Sequence, residues 1–192
     1  MSERTPYIVG IGGTAKPSSS TETALRIALA GAEALGARTA LFGGAELVAL
    51  PHYLHADYRD NAVALDLVEQ LRKADGVIVA SPGYHGNISG LVKNALDYTE
   101  EMVKDERPYF DGLPVGIVAT AYGWQAACNT LAALRSITHA LRGWPTPLGV
   151  TINSITPIFR DNACTDADVS RQLDLMAAQV VGFTRDRIRL AA

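Results

Sequence analysis

The sequence contains little cysteine and no cluster of metal-ligating side chains. Its two cysteines, Cys128 and Cys164, do not form a CxxC pair, and no group of His and Cys residues has the spacing of a zinc site. We therefore expect no metal. The first residues carry no signal-peptide core, so we expect a cytoplasmic protein with free thiols.

The sequence also lacks a large excess of charge of one sign and a long apolar run. The formal net charge is -3 and no basic run is present, which argues against a nucleic-acid partner or an anionic membrane surface. No apolar stretch is long enough to span a membrane. With 48% hydrophobic and 19% charged residues among 192, the composition is that of a globular chain, and the length predicts one domain over residues 1–192.

Short apolar segments alternate with longer helical patterns along the whole chain. The predicted strands are residues 7–12, 37–42, 76–80, 113–119 and 147–152. The predicted helices are residues 21–35, 61–74, 87–102, 124–141 and 166–188. Residues 43–59 show neither pattern and are expected to be irregular, with at most a short helical turn. This alternation predicts an α/β protein with a doubly wound, five-stranded parallel sheet, helices on both faces and strand order 2-1-3-4-5.

A loop rich in glycine and serine follows the first predicted strand and precedes the first helix. Gly12 lets the backbone leave the strand tightly, Ser18, Ser19, Ser20 and Thr21 offer hydroxyl donors, and Lys16 offers a positive charge. Together with the amides at the start of the helix, these groups are typical of a phosphate site. The alternative is a serine-rich cap in which Ser20 or Thr21 only ends the helix. The loop is neither a dinucleotide fingerprint nor a Walker A loop.

A second loop, Ser81–Asn87, follows the third predicted strand. Pro82 sets the direction of the chain, Gly83 and Gly86 permit close approach of the backbone to a ring, and Tyr84 offers an aromatic wall. The alternative is an ordinary strand-to-helix turn. Because parallel strands end at the same edge of the sheet, the two loops predict one extended ligand with a phosphate at one end and a flat ring at the other. Flavin mononucleotide (FMN) has that shape.

A third loop follows the fourth predicted strand at the same edge. Tyr122 and Trp124 are candidates to stack on a ring, although core or subunit-interface positions are equally compatible with these aromatics. We interpret His85, in the second loop, as a residue that lines the site or faces solvent, since hydride transfer to a flavin requires no protein acid. No catalytic side chain is therefore predicted.

Residues 81–97 read SPGYHGNISGLVKNALD, which resembles the S/T-P-x-Y-x-x-x-x-x-G-x-x-K-N-x-x-D motif of the NADPH-dependent FMN reductase family, a flavodoxin-like group. The resemblance extends over about residues 7–152. The first loop departs from the family's pattern, because Gly13 stands where serine is usual and Lys16 lies near the position of the usual arginine. The resemblance implies an FMN site formed by Gly12, Lys16, Ser18, Ser20, Thr21, Pro82, Gly83, Tyr84, His85, Gly86, Asn87, Thr120, Ala121, Tyr122 and Gly123.

By this resemblance the protein is expected to be an oxidoreductase that transfers hydride from NADPH to FMN and supplies reduced flavin to a partner monooxygenase. Two alternatives remain: a reductase of quinones, azo compounds or chromate that keeps its FMN, and a non-catalytic flavodoxin-like electron carrier. The small net charge does not supply the acidic docking face typical of a carrier. The pattern of the third helix and the family resemblance together predict a homodimer or homotetramer, with Tyr98 and Trp124 as candidate contacts.

Overall fold

The computed structural model describes residues 4–55 and 58–190, so both ends of the predicted domain lie outside the described residues. The strands are β1 Tyr7–Gly12, β2 Arg38–Phe42, β3 Gly76–Tyr84, β4 Asn87–Ile88, β5 Pro114–Ala121, β6 Trp144–Pro145, β7 Val150–Asn153, β8 Phe159–Arg160 and β9 Ala163–Cys164. The helices are α1 Ser20–Ala34, α2 Gly44–Ala49, α3 Ala62–Lys73, α4 Gly90–Asp97, α5 Trp124–Ala140 and α6 Ala167–Leu190, with 3-10 turns at Tyr58–Asp60 and Tyr98–Met102.

The central sheet is mainly parallel and has the order β2-β1-β3-β5-β6, with β4 beside β3 and β7 beside β5. It is therefore not the clean five-strand 2-1-3-4-5 sheet that the sequence predicts. One reason is that β3 runs on to Tyr84 and folds back as the antiparallel strand β4. The other is that β6 and β7 both pair with β5. Pro147 lies between them and has no N–H to donate to a continuous ladder.

Two segments differ from the sequence-based boundaries. The stretch expected to be irregular contains the helix α2. The helix predicted over residues 87–102 begins only at Gly90, where the Ser89 hydroxyl accepts a hydrogen bond from the backbone N–H of Val92 at 3.1 Å. Residues 87 and 88 are in a strand instead, because they pair with the end of β3. A 3-10 turn follows α4.

Helices cover both faces of the sheet, as predicted. On one face α1 and α6 pack over Ile8 and Ile78, and on the other α3 and α4 pack over Val9 and Val79. Neighbouring strand residues thus enter opposite cores, which is why these strands are apolar throughout rather than alternating. None of the helices in the described ranges is both long and apolar enough to cross a membrane.

Three tyrosines form a compact cluster beneath α3. The rings of Tyr53 and Tyr98 meet edge to face with centroids 5.3 Å apart, and the hydroxyls of Tyr53 and Tyr58 both donate to Glu101. Burial and the hydrogen bond to Glu101 raise the pKa of Tyr53 to about 12.

Tyr98 is 1% exposed and donates to the Pro51 carbonyl at 2.8 Å. The expectation that Tyr98 lies at a subunit interface is therefore wrong, since its ring belongs to the core of this chain.

Helix α3 offers a matched test of the core. Leu67 is 0% exposed and Leu65, on the same helix, is 58% exposed. We expect Leu67→Ala to lower the free energy of unfolding by about 2–5 kcal/mol, because it leaves a cavity in the core. Leu65→Ala should change it by less than about 0.5 kcal/mol. Urea denaturation of the two variants measures both values, and equal losses would contradict this assignment of the helix face.

Candidate active site

Three loops meet at the carboxyl edge of the sheet and enclose a cleft of about 420 Å³, here called the loop cleft. It is lined by Thr14, Lys16, Ser18, Ser19, Ser20, Thr21, Pro82, Gly83, Tyr84, His85, Thr120, Ala121, Tyr122, Ala126 and Ser154. Most of the residues predicted for the ligand site are in this set. Gly12, Gly86, Asn87 and Gly123 lie beside the cleft rather than in its lining.

Four lining residues are absent from the FMN site that the resemblance implies. Thr14 and Ser19 belong to the first loop, and Ser19 is one of the hydroxyl donors that the composition of this loop indicates. Ser154 directly follows β7, so the rule that ligands bind beyond the carboxyl ends of strands would have found it. Ala126 lies on the first turn of α5 and carries no chemical signal in the sequence.

The first loop leaves β1 through a glycine that the packing requires. A Cβ at Gly12 would lie 2.2 Å from the carbonyl oxygen of Ala80, so the end of β1 lies directly against β3. The chain then turns at Thr14, whose Oγ1 accepts a hydrogen bond from the backbone N–H of Lys16 at 3.1 Å. Ser18 has a positive φ of 53°, a conformation that leads the chain into α1.

Helix α1 is capped by Ser19 and not by Ser20 or Thr21. The Ser19 hydroxyl accepts a hydrogen bond from the backbone N–H of Glu22 at 3.3 Å. The hydroxyls of Ser18 and Ser20 make no hydrogen bond to other described residues, and both line the cleft. The start of α1 therefore presents two available hydroxyl donors and the positive end of a helix dipole, which together suit an anion.

Thr21 joins the first loop to the third. Its hydroxyl lies 2.6 Å from the hydroxyl of Thr120, and the two residues are 2% and 3% exposed. The hydrogen bond ties the first turn of α1 to the end of β5 across the floor of the cleft. Thr21 thus has a structural partner of its own, whereas Ser18 and Ser20 have none within the described part of the chain.

The charges near α1 are few and partly balanced. Lys16 is exposed at the rim. Glu22 accepts a hydrogen bond from the backbone N–H of Gly44 at 2.9 Å and another from Nε of Arg26 at 3.0 Å. A phosphate at this end would therefore be held mainly by hydrogen bonds and by the helix dipole, with one lysine in reach.

The second loop is a β-hairpin rather than an open strand-to-helix turn. Tyr84 pairs with Asn87, and the two residues between them, His85 and Gly86, have positive φ values of 50° and 89°. Positive φ at both central positions is the pattern of a type I′ turn, which favours glycine. Tyr84 and His85 are exposed and line the cleft, whereas Asn87 lies in β4.

The two glycines of this hairpin have structural reasons of their own. A Cβ at Gly83 would lie 2.3 Å from Oγ1 of Thr130, so glycine here permits close packing of the hairpin against α5. A Cβ at Gly86 would meet no atom of the described residues within 4 Å, and glycine suits this position because its φ is positive.

The third loop is fixed by Asn153 at the end of β7. Its side-chain oxygen accepts hydrogen bonds from the backbone N–H groups of Gly123 at 3.0 Å and Ile155 at 3.1 Å. Tyr122, just before Gly123, is 82% exposed, and Tyr84 on the opposite hairpin is 54% exposed. Two aromatic side chains therefore stand at the rim with most of their surface free.

The loop cleft fits the outline of FMN. One end offers the Ser18 and Ser20 hydroxyls at a helix start, and the other is bordered by Pro82, Gly83 and exposed aromatic rings. Its volume falls within the roughly 300–1,000 Å³ usual for small-molecule sites. In the described part of the chain, no three His, Cys, Asp or Glu side chains are grouped so as to hold a metal ion.

Residues 6–156 match the model of a family described as NADPH-dependent FMN reductase. The chain belongs to this family. The resemblance predicted from residues 81–97 is thereby confirmed, and the family's description carries the two predicted cofactors, FMN and NADPH.

The chain is similar to a relative found by sequence and to several solved structures. An FMN-dependent NADPH-azoreductase of Staphylococcus aureus is 28% identical over 63% of this chain and 62% of its own length, so the match spans less than two-thirds of that enzyme. Among solved structures, the flavoenzyme NAD(P)H:(acceptor) oxidoreductase FerB of Paracoccus denitrificans has a TM-score of 0.75, with 18% identity over 95% of this chain and 98% of its own. A WrbA-like flavodoxin of Agrobacterium tumefaciens has a TM-score of 0.64, with 18% identity over 95% and 99%. The two structures show that the fold is flavodoxin-like.

The hydrogen bond between Thr21 and Thr120 can be tested by removing one hydroxyl or both. Thr21→Val leaves the buried Thr120 hydroxyl without its partner, so we expect a loss of about 1–3 kcal/mol in the free energy of unfolding. Replacing both threonines with valine should bring the stability back toward that of the natural protein, since no buried polar group is then unpaired. Denaturant unfolding of the three proteins measures this, and a fully stable Thr21→Val variant would contradict the structural role.

Proposed function

We propose that the protein is an NAD(P)H-dependent FMN reductase whose flavin binds in the loop cleft. The observation that carries the proposal is that two serine hydroxyls, which bond to none of the other described residues, stand at the start of α1 and line the same cleft as Pro82, Gly83 and two exposed tyrosines. Membership of the FMN reductase family supports the same ligand.

The residues have distinct parts in this proposal. Ser18 and Ser20, with the backbone amides at the start of α1, hold the phosphate, and Lys16 adds a positive charge. The backbone of the hairpin at Pro82–His85 borders the ring and offers amide groups to its polar edge. Tyr122 covers the ring from the opposite loop. The Thr21–Thr120 hydrogen bond fixes the two sides relative to each other.

FMN, when bound, supplies the redox chemistry, because it accepts hydride from NADPH and passes electrons to an acceptor. The protein contributes position and a polar environment. His85 stands exposed at the tip of the turn. We therefore assign it no catalytic role.

We further propose that FMN is exchanged as a substrate and that the reduced flavin serves a partner monooxygenase. The support is the weak cationic character of the phosphate end, where Lys16 is exposed and the charge of Arg26 is shared with Glu22. Hydrogen bonds from two hydroxyls favour binding that is selective for FMN but readily reversible. Association into a homodimer or homotetramer remains part of the proposal, with the 59% exposed Trp124 as the candidate contact.

A second function is favoured by the aromatic rim. Tyr84 and Tyr122 expose large ring surfaces beside the cleft, and an aromatic acceptor such as an azo compound or a quinone would stack on them. In that case FMN stays bound and reduces the acceptor directly. The azoreductase relative supports this alternative.

The absorbance spectrum of the purified protein decides between these functions. A colourless protein that oxidises NADPH only when FMN is added supports flavin as a substrate. A yellow protein that transfers electrons from NADPH to an azo dye or quinone without added FMN supports the second function. A yellow protein that fails to oxidise NADPH with any acceptor would contradict both and favour an electron carrier.

The phosphate site can be tested with a pair of ligands. We expect Ser18→Ala combined with Ser20→Ala to weaken FMN binding by about 1–3 kcal/mol, through the loss of hydrogen bonds to a charged group. Riboflavin, which lacks the phosphate, should bind the variant and the natural protein with similar affinity. Flavin fluorescence titration measures both. Unchanged FMN affinity would mean that these serines do not contact the phosphate.

The hairpin gives a test of acid-free hydride transfer. His85→Asn removes the imidazole but suits a positive φ, so we expect FMN-dependent NADPH oxidation to stay within about tenfold of the natural rate. Gly86→Val forces a β-branched residue into the same turn, so we expect a loss of at least tenfold, or about 1.4 kcal/mol in the barrier. Steady-state assays compare the two. Loss of turnover in His85→Asn with FMN still bound would assign the imidazole a proton-transfer role.

A further inference from the structure

A second cleft opens at the opposite, amino edge of the sheet. It has a volume of about 670 Å³ and is here called the basic cleft. It is lined by Arg4, Thr5, Tyr7, Arg38, Arg72, Lys73, Ala74, Asp75, Arg107, Arg187 and Ile188. Tyr7 and Arg38 begin β1 and β2, whereas the loop cleft lies beyond the ends of these strands. The six residues of β1 separate the two clefts by roughly 20 Å.

The basic cleft concentrates positive charge in a chain whose net charge is -3. Six of its lining residues are Lys or Arg, and Asp75 is the acidic residue among the described residues that line it. Asp75 is 4% exposed and is already bound by the Arg4 guanidinium and by the backbone N–H of Tyr7 at 3.1 Å. Asp75 therefore offsets one of the six positive charges.

Two of the six cations have carboxylate partners outside the lining. Arg72 pairs with Asp105 at 2.8 Å, and Lys73 pairs with Glu69 at 2.8 Å. Both partners are at least partly exposed, so solvent screens these pairs and each contributes little.

Three guanidinium groups have no carboxylate partner among the described residues. Arg107 donates to the backbone carbonyls of Leu71 at 2.7 Å, Arg72 at 2.8 Å and Tyr109 at 2.9 Å. Arg38 lies over the ring of Tyr7, with its guanidinium carbon 4.9 Å from the centroid. Arg187, near the end of α6, lines the cleft without an ion pair to any described residue.

Two of these cations, Arg107 and Arg187, are close enough to repel each other. Burial lowers the pKa of the Arg107 guanidinium, and the nearby charge of Arg187 lowers it further, whereas Asp75, Asp105 and Asp111 offset part of this effect. Arg107 is fixed by its three carbonyls, so the repulsion cannot be relieved by moving it. A multiply charged anion between Arg38, Arg107 and Arg187 would remove this repulsion, and guanidinium forks match phosphate oxygens in geometry.

We propose that the basic cleft binds a compact polyphosphate, either free or as the phosphate chain of a nucleotide. The cleft exceeds the size needed for two or three phosphate groups and falls within the range of small-molecule sites. The lining contains six Lys and Arg residues, and their positive charges select for the phosphates.

Isothermal titration with inorganic tripolyphosphate tests the site, using protein saturated with FMN so that the loop cleft is filled. We expect Arg38→Gln combined with Arg187→Gln to weaken binding at least tenfold. Arg171→Gln is the matched control, because it removes the same charge from α6 about 24 Å along the helix from Arg187. It should bind within twofold of the natural protein. Tripolyphosphate affinity that is equal in the double variant and the natural protein would overturn the proposal.

Further measurements separate the possible outcomes. ATP binding as tightly as tripolyphosphate, with adenosine not binding, would support recognition of the phosphate chain of a nucleotide, whereas tripolyphosphate alone would indicate free polyphosphate. If FMN and tripolyphosphate compete, the anion binds in the loop cleft and the proposal is wrong.

Sulfate at matched ionic strength should not displace tripolyphosphate. The single variant Arg38→Gln, whose side chain is exposed, repeats the test should the double variant fold poorly.

Discussion

The close contact between the ends of β1 and β3 is the constraint on which the loop cleft depends. Because a Cβ at Gly12 would lie 2.2 Å from the Ala80 carbonyl, the backbone of β1 reaches β3 without an intervening side chain. That contact brings the start of α1 to the level of the β3 hairpin. The hydrogen bond between Thr21 and Thr120 then closes the third side by tying α1 to β5. These two contacts fix the positions of the segments that carry Ser18, Ser20, Tyr84 and Tyr122, which line the cleft.

Much of the fold and of the site follows from local patterns in the sequence. Runs such as Tyr7–Gly12 are apolar throughout, and this alone indicates strands covered on both faces. Loops that follow such strands must meet at one edge, so the positions of Ser18, Tyr84 and Tyr122 along the chain were enough to place them in one cleft. The loops alone predict a ligand with a phosphate at one end and a flat ring at the other. The family motif in residues 81–97 indicates more directly that this ligand is FMN.

The features that sequence reasoning missed depend on contacts between distant segments. The hairpin at His85 and Gly86 forms because β3 continues past its apolar run, and the mixed composition of Pro82–Tyr84 hides that continuation. The role of Gly83 depends on Thr130, 47 positions further along the chain. The partner of Thr21 is Thr120, and no local pattern identifies such a pair. The basic cleft likewise gathers arginines from separate loops, helices and the strand β2, and these arginines do not form a run in the sequence.

The packing of Gly83 against Thr130 also determines how the loop cleft responds to a ligand. Because the hairpin is seated this closely on α5, we expect its backbone to change little when a ligand binds, so that little ordering entropy is lost there. The side chains of Tyr84 and Tyr122 are not held in this way, since both are more than half exposed. We therefore expect these two side chains to adjust most to ligands of different shape.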